Sequence, residues 1–182
     1  MEKKSFLLWL ALLFLFLLGC FALAFAIRGA QLVKRDGKTT IIGGCDESLW
    51  AKHVYNPQRL LIHERCASVT GVIVDATHGK RKDGVRKEAD GDCHGWLKLD
   101  AEHAKFLNAG NISDEEGNLV FEIVCMFPVT QKDALSACKG YKNKIKLPRV
   151  GSHVRMTGSW VEDTNHAKWM EIHPVSSVEV LK

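Results

Sequence analysis

The chain contains no Cys-x-x-Cys pair and no Cys/His grouping at zinc-finger spacing, which excludes the common structural zinc modules. It also lacks Gly-x-Ser-x-Gly, and no serine or cysteine stands beside an evident base, so nucleophilic catalysis has no support. Cys93 and His94 are adjacent, but neighbours in a strand face opposite ways and do not form a Cys–His pair. Charge of one sign is scarce too. Twenty-five basic and 21 acidic residues leave +4, too mild to imply nucleic acid by itself. There is no internal repeat and no low-complexity stretch beyond one hydrophobic run.

That run extends from Phe6 to Ile27 without charge, proline or asparagine. As a helix it rises about 33 Å, enough to cross a bilayer core of about 30 Å. Ala22 to Ala26 places small residues at the −3 and −1 positions of a signal-peptidase site, so the run fits a cleaved signal peptide or an uncleaved anchor. Leu17 to Cys20 resembles a lipoprotein box, but lipidation at Cys20 would leave a greasy new N-terminus. Basic residues flank both ends (Lys3 and Lys4, then Arg28, Lys34 and Arg35) and do not orient the segment. Five cysteines follow: Cys45, Cys66, Cys93, Cys125 and Cys138. Behind an export signal, four paired thiols and one spare account for them better than a zinc site. The sequence therefore predicts a signal peptide or anchor over 1–27, a tether over 28–44 and an extracytoplasmic domain over 45–182.

Within that domain, Asp46 caps a predicted short helix whose apolar side is Leu49, Trp50 and Val54, and Asn56-Pro57 ends it. Five strands are then predicted. The first covers 59–66 and 68–76 and is interrupted by Gly71. The second, 93–100, alternates Cys93, Leu97 and Leu99 against His94, Trp96 and Lys98. The third, 119–127, is apolar on both faces except for Glu122, as a strand covered on both sides would be. The fourth spans 152–163 with Val154, Met156 and Trp160 inward, and the fifth spans 168–181. Residues 101–110 read as a helical turn, and 130–140 as a short helix with a threonine cap and a glycine stop. Five strands with a helix between the third and fourth is the connectivity of the OB-fold, a small five-stranded barrel. An open β-sandwich of similar size is the alternative.

Several stretches, "NPQRLLIHERCASVTGVI", "EADGDCHGWLKLD", "LVFEIVCMFPVTQKDALSAC" and "VGSHVRMTGSWVEDTNHAKWMEIHPV", resemble an uncharacterised family of exported bacterial proteins. The joint occurrence of Asp-Gly-Asp-x-His and Glu-Ile-His-Pro-Val carries the likeness, which spans Cys45 to the end. The resemblance implies an OB-like core and no established activity. Cys93 stands where the family tends to place an aromatic residue, which marks it as the unpaired thiol. The expected disulfides are then the sequence-local pairs Cys45–Cys66 and Cys125–Cys138.

The candidate metal-site residues lie in three segments. Asp92 and His94 open the second strand, Asp163 and His166 lie between the fourth and fifth, and Glu171 and His173 lie on the fifth. Alternation puts Met170, Ile172, Val178 and Val180 into the barrel, and so Glu171 and His173 on the outer surface. Such a set suits a divalent metal ion, and a nuclease-like, metal-assisted hydrolase would use Asp92 and Glu171 with Arg155. Strands two and five both flank strand three, however, so their centres lie about 10 Å apart, too far for one ion bonded at about 2.0–2.2 Å to bridge mid-strand positions. A compact site requires His166 or Asp163 to fold back beside Glu171 and His173, or the strand ends to converge. Pro174 removes a ladder donor and marks a bulge or edge. Separately, Lys142, Lys144, Lys146, Arg149 and Arg155 lie in a stretch from Lys139 onward that contains no acid. The leading expectation is an OB-like binding module, tethered to the membrane through residues 6–27 or secreted. It would offer this basic stretch to an anionic polymer (an oligonucleotide or polysaccharide) or to an envelope protein. The hydrolase and a purely structural envelope domain are the alternatives.

Overall fold

The computed structural model describes residues 41–42, 44–75, 77–78, 81–82 and 85–182. The expected signal peptide or anchor lies outside the described residues, as does most of the expected tether. The end of that tether is structured: Ile41–Ile42 pairs antiparallel with Cys45–Asp46. Asp46 then caps helix α1, Glu47–His53, accepting a hydrogen bond from the Ser48 backbone N–H at 2.9 Å. Leu49 is buried beneath the helix, and Asn56 ends the segment with φ of 49° before Pro57.

Five strands follow: β1 (Leu60–Val74), β2 (Cys93–Leu99), β3 (Leu119–Ile123), β4 (His153–Asp163) and β5 (Met170–Val180). β1 pairs with both β4 and β2, β2 with β3, β3 in parallel with β5, and β5 with β4. The ring is closed in the order 1-2-3-5-4-1. Closure turns on Gly71, which pairs with Leu99 on one side and Val154 on the other. A Cβ there would sit 2.4 Å from the Lys98 carbonyl oxygen, so only glycine lets the strands cross so closely. Gly158 has the same role at β5, where a Cβ would meet the Pro174 carbonyl at 2.3 Å. Contrary to the expected interruption at Gly71, β1 is continuous, and its register shifts fall between Ile62 and Ala67.

The interior is filled by Val69, Ile73, Cys93, Leu97, Phe121, Ile123, Val154, Met156 and Ile172, all 0–1% exposed. Inward–outward alternation predicted these strand faces correctly. Gly95 has a packing role in this core: a Cβ would lie 2.3 Å from the Phe121 ring. Val180, expected inside, is 57% exposed, because β5 runs past the end of the barrel.

The helical turn expected over 101–110 is present as the 3₁₀ segment Ala101–Phe106, but the helix expected over 130–140 is not formed. Only Lys132–Ala134 turns helically between β3 and β4, as one 3₁₀ turn. The backbone there bonds elsewhere: Thr130 and Gln131 N–H groups both reach the Ala89 carbonyl, and the Ala137 carbonyl lies 2.7 Å from His53 Nδ1. Helix α2, Ala109–Asp114, also lies between β2 and β3 and extends past the turn expected over 101–110. Its signal was a reciprocal Asn108/Asn111 capping box, in which asparagine replaces the usual Ser/Thr and Glu/Gln.

Cys45–Cys66 and Cys125–Cys138 are disulfides, with Cα separations of 5.6 and 5.3 Å, and Cys93 is free and buried. Two such pairs are the kind of crosslink that an oxidising environment maintains. Burial pushes the Cys93 thiol up to about 12, with the Asp92 charge adding to the shift. Cys93 in the folded protein is therefore expected to resist maleimide for hours at pH 8 and to label promptly in denaturant, read by intact-mass spectrometry; prompt labelling of folded protein would show that the thiol is accessible.

Candidate functional site

The outer face of β2, β3 and β5 carries an unbroken patch of polar side chains. Chain alternation orients them: His94 on β2 pairs across the ladder with Glu122 on β3, and β3 runs beside Glu171 on β5. That face was expected to be exposed. Instead His94, Glu122, Glu171 and His173 are 0–7% exposed, because chain from three distant regions covers them. Arg59 comes from the turn before β1, Asp92 from the end of the β1–β2 loop, and Asp163 and Trp169 from the ends of the β4–β5 connection.

Glu122 is the centre of the network. Its Oε1 lies 3.0 Å from His94 Nδ1, its Oε2 lies 3.1 Å from His173 Nδ1, and Arg59 Nη2 approaches Oε2 at 3.8 Å. Arg59 also donates to Asp163, whose Oδ2 lies 2.8 Å from His166 Nδ1. On the far side, His173 Nδ1 lies 3.1 Å from Glu171 Oε2, and Trp169 Nε1 donates to Glu171 Oε1 at 2.5 Å. Asp92 Oδ1 accepts from the Cys125 backbone N–H at 2.7 Å. The His173–Pro174 peptide is cis, and the β5 register shifts between Ile172 and Val175, so the bulge expected at Pro174 is present.

The charges set one another. Burial opposes ionisation of Glu122, yet His173, His94 and Arg59 hold its carboxyl well below the usual carboxylate range. Burial likewise opposes a charged His173, but Glu122 and Glu171 raise it to about 9. Asp92 moves the other way: burial, with Glu122 and Asp90 adding, pushes it up to about 8.

Of the expected metal-ligating residues, Asp92, His94, Glu171 and His173 meet in this network, while Asp163 and His166 join it only through Arg59. The distance argument against a shared ion is corrected, because Glu122 occupies the strand between β2 and β5. Donor atoms of Asp92, Glu122 and His173 lie within 4.8 Å of one another. Asp92, Cys125 and Cys138 also converge, but both sulfurs are in the disulfide. Glu122 and Arg59 were not foreseen as site residues. Their signal was chemical context: a lone acid in an apolar strand, and an arginine just ahead of one.

A cleft of about 420 Å³ opens above the network. Arg86, Glu88 and Asp90 of the β1–β2 loop form one wall, His166 and Trp169 of the β4–β5 connection the other, and Arg59, His94 and Glu122 the floor. The His166 and Trp169 rings stack at 5.3 Å with 10° between planes. The basic stretch is elsewhere: Lys142, Lys144, Lys146 and Arg149 are exposed along an extended segment, and none lines the cleft. Arg155 pairs with Glu179 at 2.8 Å and does not line the cleft.

The described domain is thus a mainly β protein: a closed five-stranded barrel with a mixed-charge cleft over one outer face. The chain matches no protein-family model, no curated protein and no solved structure.

Proposed function

We propose that the protein is an extracytoplasmic, OB-like binding module whose cleft takes a segment of a hydroxyl-rich saccharide. One observation carries the reading. The cleft is built from the β2–β3 face together with the β1–β2 and β4–β5 loops, the surfaces with which OB barrels hold oligonucleotides and oligosaccharides. His94 in its floor has a buried Nε2 without a hydrogen-bond partner among the described residues.

The lining selects between the two polymers. Glu88, Asp90 and Glu122 alternate with Arg59, Arg86 and His166, so a phosphate backbone would meet three carboxylates. Vicinal hydroxyls donate to carboxylates and accept from guanidinium or imidazole, and the exposed His166 ring, backed by the buried Trp169, offers a flat face to a sugar. The hydrophobic run from Phe6 to Ile27 and the two disulfides support a location outside the cytoplasm, with the chain anchored through residues 6–27 or released.

Titration of peptidoglycan and other envelope oligosaccharides, followed by tryptophan fluorescence, tests this. Binding is expected to weaken at least tenfold in Arg86→Ala and in His166→Ala. Tighter binding of single-stranded oligonucleotides, with a steep salt dependence and no response to either substitution, would defeat the reading and return the basic stretch to consideration.

A further inference from the structure

We propose that Asp92, Glu122 and His173 hold a divalent transition-metal ion beneath the cleft, bonded through Asp92 Oδ2, Glu122 Oε2 and His173 Nε2. The inference stands whatever the cleft binds, because it rests on the buried network alone.

Asp92 and His173 each have one polar atom tied down and one left over, while Glu122 Oε2, which lies 3.1 Å from His173 Nδ1 without hydrogen-bond alignment, would turn toward the ion on binding. Asp92 Oδ1 takes the Cys125 N–H at 2.7 Å, Glu122 Oε1 faces His94 Nδ1 at 3.0 Å, and His173 Nδ1 faces Glu171 Oε2 at 3.1 Å. The remaining atoms, Asp92 Oδ2, Glu122 Oε2 and His173 Nε2, are buried and make no aligned hydrogen bond among the described residues. The three residues are 1%, 7% and 0% exposed, and one donor atom of each lies within 4.8 Å of the other two. Buried polar atoms are nearly always satisfied, so three unsatisfied ones in one place call for a common partner.

The spacing indicates what that partner is. His173 Nε2 and Asp92 Oδ2 are 3.9 Å apart, between the roughly 3.4 Å that two metal–ligand bonds of about 2.1 Å span at the tetrahedral angle and their linear limit of about 4.2 Å. A water donating and accepting at about 2.8 Å with a tetrahedral angle would separate them by roughly 4.6 Å. Charge points the same way. Four buried carboxylates, Asp92, Glu122, Asp163 and Glu171, surround a single buried guanidinium, that of Arg59. In the metal-free network protons on Asp92 and His173 offset part of that excess, and a bound dication would take their place.

The outer contacts match those of a metal-bound imidazole. His173 turns its second ring nitrogen to the Glu171 carboxylate, which Trp169 Nε1 in turn fixes at 2.5 Å. A carboxylate behind the imidazole sets the tautomer that leaves Nε2 free to ligate. Two carboxylate oxygens and one imidazole nitrogen favour manganese, iron or zinc over magnesium or calcium, which prefer oxygen donors alone. Glu122 also lines the cleft, which gives an ion a route in.

The test uses the full chain in detergent, stripped with chelator and titrated calorimetrically with Mn²⁺, Zn²⁺ and Mg²⁺. The expected result is one Mn²⁺ or Zn²⁺ per chain, Mg²⁺ at least tenfold weaker, and at least a tenfold loss of affinity in Asp92→Asn and in His173→Gln. Cobalt loading of the unmodified chain supplies a readout that needs no variant: a solvent-exchangeable, hyperfine-shifted imidazole proton from His173 Nδ1. No saturable uptake at millimolar ion overturns the proposal, and the network is then neutralised by protons instead. Uptake unchanged in both folded variants, or cobalt uptake without the shifted proton, also overturns it by placing the ion elsewhere.

Discussion

Glu122→Gln is expected to destabilise the metal-free domain by about 3–5 kcal/mol, read as a lower denaturant midpoint at unchanged slope. The substitution preserves shape and removes one charge. Arg59, His94 and His173 all lean on that carboxylate, and it is 7% exposed, so water cannot take its place. The comparison is Glu88→Gln in the cleft wall. Glu88 pairs with Arg86 at a partly exposed position (side chains 32% and 27%) and should cost under about 1 kcal/mol. Equal losses in the two variants would show that Glu122 is not the centre of the network.

The contrast between those two glutamates also shows what could be read from sequence. Period-two alternation identified the faces of β2, β4 and β5 correctly, because a strand offers only two and the barrel needs one of them apolar. Gly71 was legible as a special point of its strand, though not as a crossing, which depends on how closely the Lys98 carbonyl approaches. Alternation names a face but not what covers it. Glu171 and His173 are on the expected face and fully buried, under Trp169, Arg59 and the Cys125 backbone. Those groups come from irregular segments that carry no period, so their approach is a tertiary event invisible to pattern. Glu122 illustrates the remedy. An acid in a strand apolar on both faces must have a buried partner, and searching for that partner would have led to Arg59. The helix expected over 130–140 failed for the opposite reason: its local signals were sound, but tertiary hydrogen bonds to Ala89 and His53 claimed its backbone.

Replacing Cys125 and Cys138 together by alanine is expected to lower stability by about 3 kcal/mol and to disturb the buried network as well. The first effect follows from closure: the bridge spans a sequence separation of 13, and the chain-entropy argument gives about 3 kcal/mol for a loop of that length. The second follows from position. Cys125 sits just beyond β3 with φ of +56°, a left-handed conformation that an L-residue adopts only when its surroundings hold it there. Its backbone N–H is the donor that fixes Asp92 Oδ1. Without the bridge, alanine at that φ can relax, and the N–H then withdraws from Asp92. The Cys45–Cys66 pair closes a longer span, a separation of 21, and should contribute a similar or slightly larger entropic share. It ties the chain ahead of α1 to β1 and has no member in the network. The double variant at 45 and 66 should therefore lose stability without changing the His94 and His173 imidazole resonances. The variant at 125 and 138 should shift those resonances as well. Unchanged resonances in the 125/138 variant would show that the left-handed turn is held by packing alone and that the bridge acts only on the unfolded chain.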